Sequence, residues 1–413
     1  MNCQRGWGGV YLPEKVREEK HPGLVEASPP PPSILTRNFI LAWLVSFSAF
    51  ASFYFLLATL PLYIVQIGGS ESEVGLIIGV FATTALALRP LVGRAADIWS
   101  RRLLILGGAF LLFLSSLSYN LAQGVLPLLL VRVLHGAGWA GFGTAVMVLV
   151  ADLLPPPRRG EGMGYYGMSM NLAMALGPAA GVFLLRAFSF PVLFLSSAAM
   201  AIVGVVLAGF ISEPHRRKNP SRGAILERSA LFPSLVLCLS SLSYGSIVSF
   251  FPLYAGKKGI ENPGLFFTVF ALVLILARGP AGRLSDKKGR AATIVPGLLV
   301  AALALGLLSV ADSLGLFLLA ALLYGLSFAL VQPSLMALTI DRVEPSRRGA
   351  AMGTFSMAMD LGIGGGAFLW GFVAQGAGFP AMYQLAALTT LVALGVFLFG
   401  RRSRLAFTLT SGP

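Results

Sequence analysis

The sequence predicts an all-α membrane protein with twelve transmembrane helices in two six-helix repeats. Three observations carry that reading. The chain has 413 residues, 56% hydrophobic and 12% charged, with a mean hydropathy of +0.79. A soluble domain holds about 25% charged residues, so this much apolar surface needs the bilayer as solvent. Apolar runs of about 20 residues, the length that spans a hydrocarbon core, recur twelve times. Finally, charged stretches between the runs repeat at a fixed offset.

In chain order, residues 1–37 are polar and mixed in charge and end near four prolines at Pro29 to Pro32, so they read as a disordered tail. The first half, 38–211, holds apolar runs at 38–64, 74–93, 103–123, 126–150, 162–185 and 188–211. The first run is too long for a signal peptide and has no small-residue cleavage site, so it is expected to stay in the protein. The runs at 74–93 and 263–282 are short before Arg89 and Arg278, which are expected to snorkel to the interface. A basic linker, 212–230, leads to the second half, 231–400, with runs at 231–255, 263–282, 291–311, 314–340, 349–373 and 380–400. Residues 401–413 form a second tail. With both termini inside, 27 of the 31 lysines and arginines fall on one side of the membrane. That bias predicts a multi-pass protein of the cell (inner) membrane with cytoplasmic termini.

The two halves are copies. Asp97 and Asp286, Asp152 and Asp341, Arg158 and Arg347, and Met163 and Met352 all differ by 189 in number. Parallel six-helix repeats are a plan of secondary transporters. "RPLVGRAADIWSR" from Arg89 and "RGPAGRLSDKKGR" from Arg278 are corresponding charged stretches. In them Gly93 and Gly282 are expected to allow a tight turn or close approach. Asp97 and Asp286 are expected at the start of the following helix, each with an arginine four residues on, Arg101 or Arg290.

Other classes of function are excluded on residues. The net charge of +14 sits in short clusters between apolar runs, not on one groove-binding face, which argues against nucleic acid. "GAGWAG" from Gly136 fits a dinucleotide pattern but lies inside an apolar run with no preceding strand, so it reads as a packing face. There is no phosphate-cradling G-x-x-x-x-G-K-[ST] for ATP, no metal-ligand spacing around Cys3 and Cys238, and no nucleophile–base constellation. No enzyme activity, cofactor or metal is expected; the partners are a small-molecule substrate, protons and lipid, and the chain is expected to act as a monomer.

"GRAADIWSR" and "GRLSDKKGR" resemble the signature loop of the major facilitator superfamily, "RVLHGAG" from Arg132 resembles its helix-four motif, and "GPAAG" from Gly177 its helix-five antiporter motif. Ile98, Ser100 and Ala173 depart from those patterns. The resemblance covers residues 38 to about 400 and points to the twelve-helix drug/proton antiporters. It implies that Gly93, Arg94, Asp97, Arg101, Gly282, Arg283, Asp286 and Arg290 gate the cytoplasmic ends. It also implies that helices one, four, seven and ten line the substrate path, where Phe47, Phe50, Tyr54, Ser243, Tyr244, Tyr324 and Gln332 are candidates.

The matched positions Gly177, Pro178 and Gly181 in helix five and Gly364 and Gly366 in helix eleven are candidates for a seal or hinge between the halves. Arg132, with His135 one turn on, is the one basic side chain deep in an uncharged run. Among 17 acids only Asp360 falls mid-span; its repeat counterpart is Asn171. Intramembrane ionisable groups mark ion pathways, so Asp360, Arg132, His135 and Asn171 are the proton-coupling candidates. The expected function is proton-coupled export of a small amphipathic molecule by alternating access. The alternatives are an uptake symporter or facilitator of the same fold and a non-transporting membrane sensor or scaffold.

Overall fold

The computed structural model describes residues 33–155, 158–212, 226–344 and 347–410. The expected tail at 1–32 and most of the linker, 213–225, lie outside them. The described chain is helical throughout. The first half comprises α1 (Arg37–Gln66, with an irregular turn at Ala58 and Thr59), α2 (Glu71–Ile98), α3 (Arg101–Ser118), α4 (Val125–Leu153), α5 (Arg159–Ala187) and α6 (Phe190–Ala208). The second half opens with α7 (Leu231–Lys257), α8 (Gly264–Lys288), α9 (Ala291–Val310) and α10 (Leu314–Asp341).

Helix then runs from Arg348 to Thr410, and its apolar part, Ala350–Gly400, is 51 residues long. At 1.5 Å per residue that is about 76 Å, more than twice a hydrocarbon core of about 30 Å. The continuity is only apparent. Gly378, at φ 80° and ψ 169°, is non-helical and turns the chain back before Pro380. Two helices result, α11 (348–377) and α12 (379–410), so the described residues cross twelve times. The last helix extends through the first ten positions of the expected C-terminal tail.

Local chemistry sets the helix starts. Thr36 accepts a hydrogen bond from Phe39 N (3.3 Å), and Ser100 accepts one from Leu103 N (3.2 Å). Ser70 and Glu73 form a reciprocal capping box on α2, with Ser70 N donating to Glu73 Oε2 at 2.7 Å.

The charged stretches differ from expectation in three ways. First, α2 and α8 do not stop before their arginines; they continue to Ile98 and Lys288. Second, Asp97 and Asp286 therefore sit in the last turn of these helices rather than at the start of the next. A carboxylate there faces the negative end of the helix dipole, and at Asp286 the pairing with Arg290 offsets this unfavourable position. Third, neither Gly93 nor Gly282 lies in a turn or against a neighbour; the turn between α8 and α9 is made by Gly289 at φ +85°. The Asp97 side chain lies outside the described residues.

Within each half, glycines let helices approach to backbone contact. A Cβ at Gly177 would overlap Tyr54 of α1, and one at Gly181 would overlap the carbonyl of Phe55. In the second half, a Cβ at Gly366 would stand 2.5 Å from Leu242 O of α7. Gly177, Gly181 and Gly366 thus bind helices of the same half together rather than sealing one half to the other. Pro178 lies inside an α5 that remains continuous. "GAGWAG" is a packing face: a Cβ at Gly136 would meet Phe81 O at 2.6 Å, and one at Gly138 would meet Gly108 O at 3.0 Å.

The halves meet along two seams, α2 against α11 and α5 against α8. The first is the tighter. Gly75 abuts Ala367 O, a Cβ at Gly371 would stand 2.7 Å from Glu71 O, and one at Gly364 would overlap Ala82. Gly264 abuts Val182 in the second seam. At the outer end of the first seam, opposite the basic loops, Lys257 Nζ donates to Glu71 Oε1 at 2.6 Å, joining α7 to α2, and lies 4.9 Å from the Phe379 ring centroid.

Candidate substrate cavity

Between the halves, toward the basic end, lies a cavity with about 700 Å³ of empty space, part of it open to solvent. Its wall is drawn from α1, α2, α4, α5, α10 and α11. Five methionines dominate it: Met147, Met163, Met170, Met336 and Met352. Thioethers are apolar, unbranched and polarisable, so they adapt to ligands of different shape.

One ion pair crosses the cavity wall. Arg89 NH2 of α2 donates to Asp360 Oδ2 of α11, and Trp139 Nε1 of α4 donates to the same oxygen at 3.3 Å. Arg89 is 9% exposed and Asp360 22%, so the pair is largely withdrawn from water but reached from the cavity. The expectation that Arg89 snorkels to the interface is corrected: its guanidinium turns inward, because a mid-span carboxylate offers it a partner that lipid does not. Asn171 also lines the cavity, 4% exposed, with Oδ1 buried and unpartnered. Arg278 likewise turns to a protein partner, donating to Gln332 Oε1 at 3.1 Å.

Arg132 and His135 do not line this cavity. Arg132 is 1% exposed; its Nε donates to Ile77 O (3.3 Å), its NH1 to Tyr119 Oη (3.4 Å), and its guanidinium lies 4.5 Å from the Phe81 ring centroid. His135 Nδ1 shares a 2.9 Å hydrogen bond with Tyr119 Oη. Phe53 and Phe81 pack on His135 and also on Trp139, so this buried cluster adjoins the cavity wall through Trp139.

Of the expected cavity residues, Phe50 and Gln332 line the cavity. Gln332 is shared with a smaller pocket inside the second half, where Ser243 and Tyr324 hydrogen-bond at 2.9 Å. Phe47 instead stacks on Trp43, while Tyr54 and Tyr244 are buried among neighbouring helices. Sequence reasoning missed Arg89, Trp139 and the methionines as wall residues. The 189-residue offset between Arg89 and Arg278 was the available signal for a shared intramembrane role.

At the basic end, the loop arginines tie each half to itself. Arg101 pairs with Asp152, at the end of α4. Arg290 pairs with Asp286 and, through Nε at 2.9 Å, with Asp341 at the end of α10. These are repeat equivalents. The hydrogen bond to Asp341 and the Asp286 carboxylate raise the pKa of Arg290 above its ordinary value against a smaller opposing effect of burial. Arg94 and Arg283 lie on α2 and α8.

Comparison with known proteins agrees with this architecture. The Major Facilitator Superfamily model matches residues 42–266 and 260–410. An uncharacterized MFS-type transporter of Methanocaldococcus jannaschii is 24% identical over 90% of this chain and 99% of its own. One from Burkholderia pseudomallei is 28% identical over 92% of this chain and 97% of its own. Among solved structures, a bacterial homolog of the human lysosomal transporter Spinster, in an inward-facing and occupied conformation, has TM-score 0.73 at 15% identity, covering 88% of this chain and 96% of that one. The human organic anion transporter MFSD10 has TM-score 0.66 at 20% identity, covering 89% and 100%. With twelve crossings, a 189-residue repeat and a cavity between the halves, the chain belongs to the Major Facilitator Superfamily and is a membrane transporter, not an enzyme.

Proposed function

We propose that this transporter exports a small amphipathic molecule across the cell membrane in exchange for protons, by alternating access. The observation that carries the proposal is the Arg89–Asp360 pair, because its partners belong to different halves. A proton on Asp360 removes the carboxylate charge and frees Arg89, loosening the first seam. Loss of one partner from a buried pair costs about 3–5 kcal/mol, enough to change which conformation prevails; the partial exposure of Asp360 places this pair toward or below the lower value. The methionine wall supplies an apolar, adaptable surface for the solute. The lysine and arginine bias orients the basic end and both termini toward the cytoplasm of an inner-membrane protein. One copy holds both halves and the cavity, so a monomer suffices, and the proton gradient replaces ATP as the energy source.

The test is Asp360→Asn in sealed proteoliposomes. The carboxamide keeps the protonated shape but cannot titrate, so exchange down a solute gradient should persist while proton-driven accumulation is lost. Wild-type pumping by this variant would remove Asp360 as the proton carrier. Accumulation on the same side as the entering protons would assign uptake symport instead.

A further inference from the structure

The two seams are related by the repeat, but their chemistry is not the same. The counterpart of Arg89 is Arg278 and the counterpart of Asp360 is Asn171, each 189 residues away. α8 packs on α5 as α2 packs on α11. Where the first seam holds a guanidinium and a carboxylate, the second holds a guanidinium and a carboxamide. Arg278 has found only a neutral acceptor, Gln332 Oε1 at 3.1 Å. Gln332 is itself a departure from symmetry, since its counterpart in the other half is Gly143, another wall residue with no side chain to offer.

The electrostatic consequence is an uncompensated cation. Arg89 and Asp360 cancel. Arg278 stands one hydrogen bond behind the cavity wall with no carboxylate partner among the described residues. Its guanidinium has five N–H donors, and even a half-buried charge within a membrane span is costly until an opposite charge meets it. Asn171, on the same cavity wall as Gln332, is 4% exposed, yet its Oδ1 has no partner. That carboxamide is free to turn its Nδ2 donor toward an oxyanion. Gln332, whose Oε1 is held by Arg278, has its own amide NH2 left to donate.

We infer that the substrate is an amphipathic organic anion whose single oxyanion group docks against the side-chain amides of Asn171 and Gln332, with Arg278 behind Gln332 supplying the positive field, while its apolar body lies on the methionine wall. This deepens the transport reading and rests on the cavity being the substrate site. The bound anion completes the second seam as Asp360 completes the first. A cationic solute, by contrast, meets Arg278 with no acid to offset it, because Asp360 is already engaged by Arg89.

The experiment measures binding, with no gradient and no transport step, so its outcome is separable from that of the proton-coupling test. Purified protein in nanodiscs of zwitterionic lipid is titrated with three isosteres: 2-naphthoate, neutral 2-naphthalenemethanol and cationic 2-naphthylmethylammonium. Tryptophan fluorescence, including that of Trp139 on the wall, reports binding, with empty nanodiscs correcting for partition. Naphthoate should bind at least about tenfold more tightly than the alcohol, and the ammonium compound most weakly. Asn171→Asp puts a fixed carboxylate on the cavity wall, and Arg278→Gln removes the cation. Each should erase the anion preference, and an unchanged thermal unfolding transition reports that the variant is folded. Absence of naphthoate binding, equal affinity for the three isosteres, or an anion preference that survives in either folded variant overturns the inference.

Discussion

Gly371 sits where α11 meets the backbone of α2, and replacing it with alanine tests whether that seam has spare room. The new Cβ would stand 2.7 Å from Glu71 O, 3.0 Å from Gly75 Cα and 3.1 Å from Gly75 N. All three are backbone atoms, so no side chain can rotate away. Carbon contacts are most favourable at about 3.5–4.0 Å, and the helices must therefore part by roughly 0.5–1 Å. Overpacking of this kind costs about 1–3 kcal/mol. Alanine also favours helix over glycine by about 1 kcal/mol, which partly hides the clash. Gly365→Ala supplies the control, because it lies on the same helix with nothing within 4 Å of the added Cβ. The difference between the two variants isolates the clash as about 1–3 kcal/mol, a shift of roughly 5- to 150-fold in the closed seam's equilibrium. Unfolding in mild detergent measures the stability difference. Spin-label distances between the outer ends of α2 and α11 then measure how far the closed population falls. If Gly371→Ala and Gly365→Ala unfold alike and give the same distance distribution, the seam is not close-packed and the reasoning fails.

Lys257→Met removes the outer ion pair to Glu71, which is 63% exposed on the lysine side, so the effect should stay within about 1 kcal/mol and shrink at high salt; a salt-independent change in spin-label distances would contradict an electrostatic latch. Tyr119→Phe takes one shared partner from both Arg132 and His135 and should destabilise the protein by about 1–3 kcal/mol, read by denaturant unfolding, without changing affinity for a cavity ligand. Arg290→Gln should lower stability by a nearly constant amount between pH 6 and 9. A folded pKa raised above the unfolded one gives a contribution fully present below the unfolded value and lost only as pH rises through the folded value, well above that window. A pronounced change in the wild-type-to-variant difference inside that window would mean the loop is held by something other than these pairs.

The architecture was legible because hydropathy and the 189-residue offset are properties of the sequence itself, and because Asp360 stood out once every acid had been placed along the chain. What escaped was direction. Composition puts Arg89 and Arg278 near the ends of apolar runs, where an arginine ordinarily reaches for the interface. Only the crossing of α2 with α11 reveals that a carboxylate 271 positions away is nearer at hand. Which side of the turn holds Asp97 and Asp286 is not legible, because Gly93 and Gly282 have the composition of a turn yet lie within α2 and α8. The break near Asp286 belongs to Gly289, whose positive φ leaves no trace in hydropathy. The methionine wall was hidden for a different reason: thioethers are ordinary core residues until several meet on one surface. Arg132 was the converse case. Its burial is legible, whereas its partners, a carbonyl, a phenol and a ring, come from other helices.

The corner at Gly378 governs how the last two crossings enter the bilayer. Its backbone angles belong to a region open essentially to glycine alone, so a side chain there favours a straight rod about 76 Å long. No bilayer accommodates that rod upright, and no hydrophilic loop between α11 and α12 lets one crossing insert while the other waits. The two crossings therefore form a single hairpin whose bend is set by the backbone at Gly378. One achiral residue thereby decides whether the chain's final basic cluster ends on the same side of the membrane as its earlier ones.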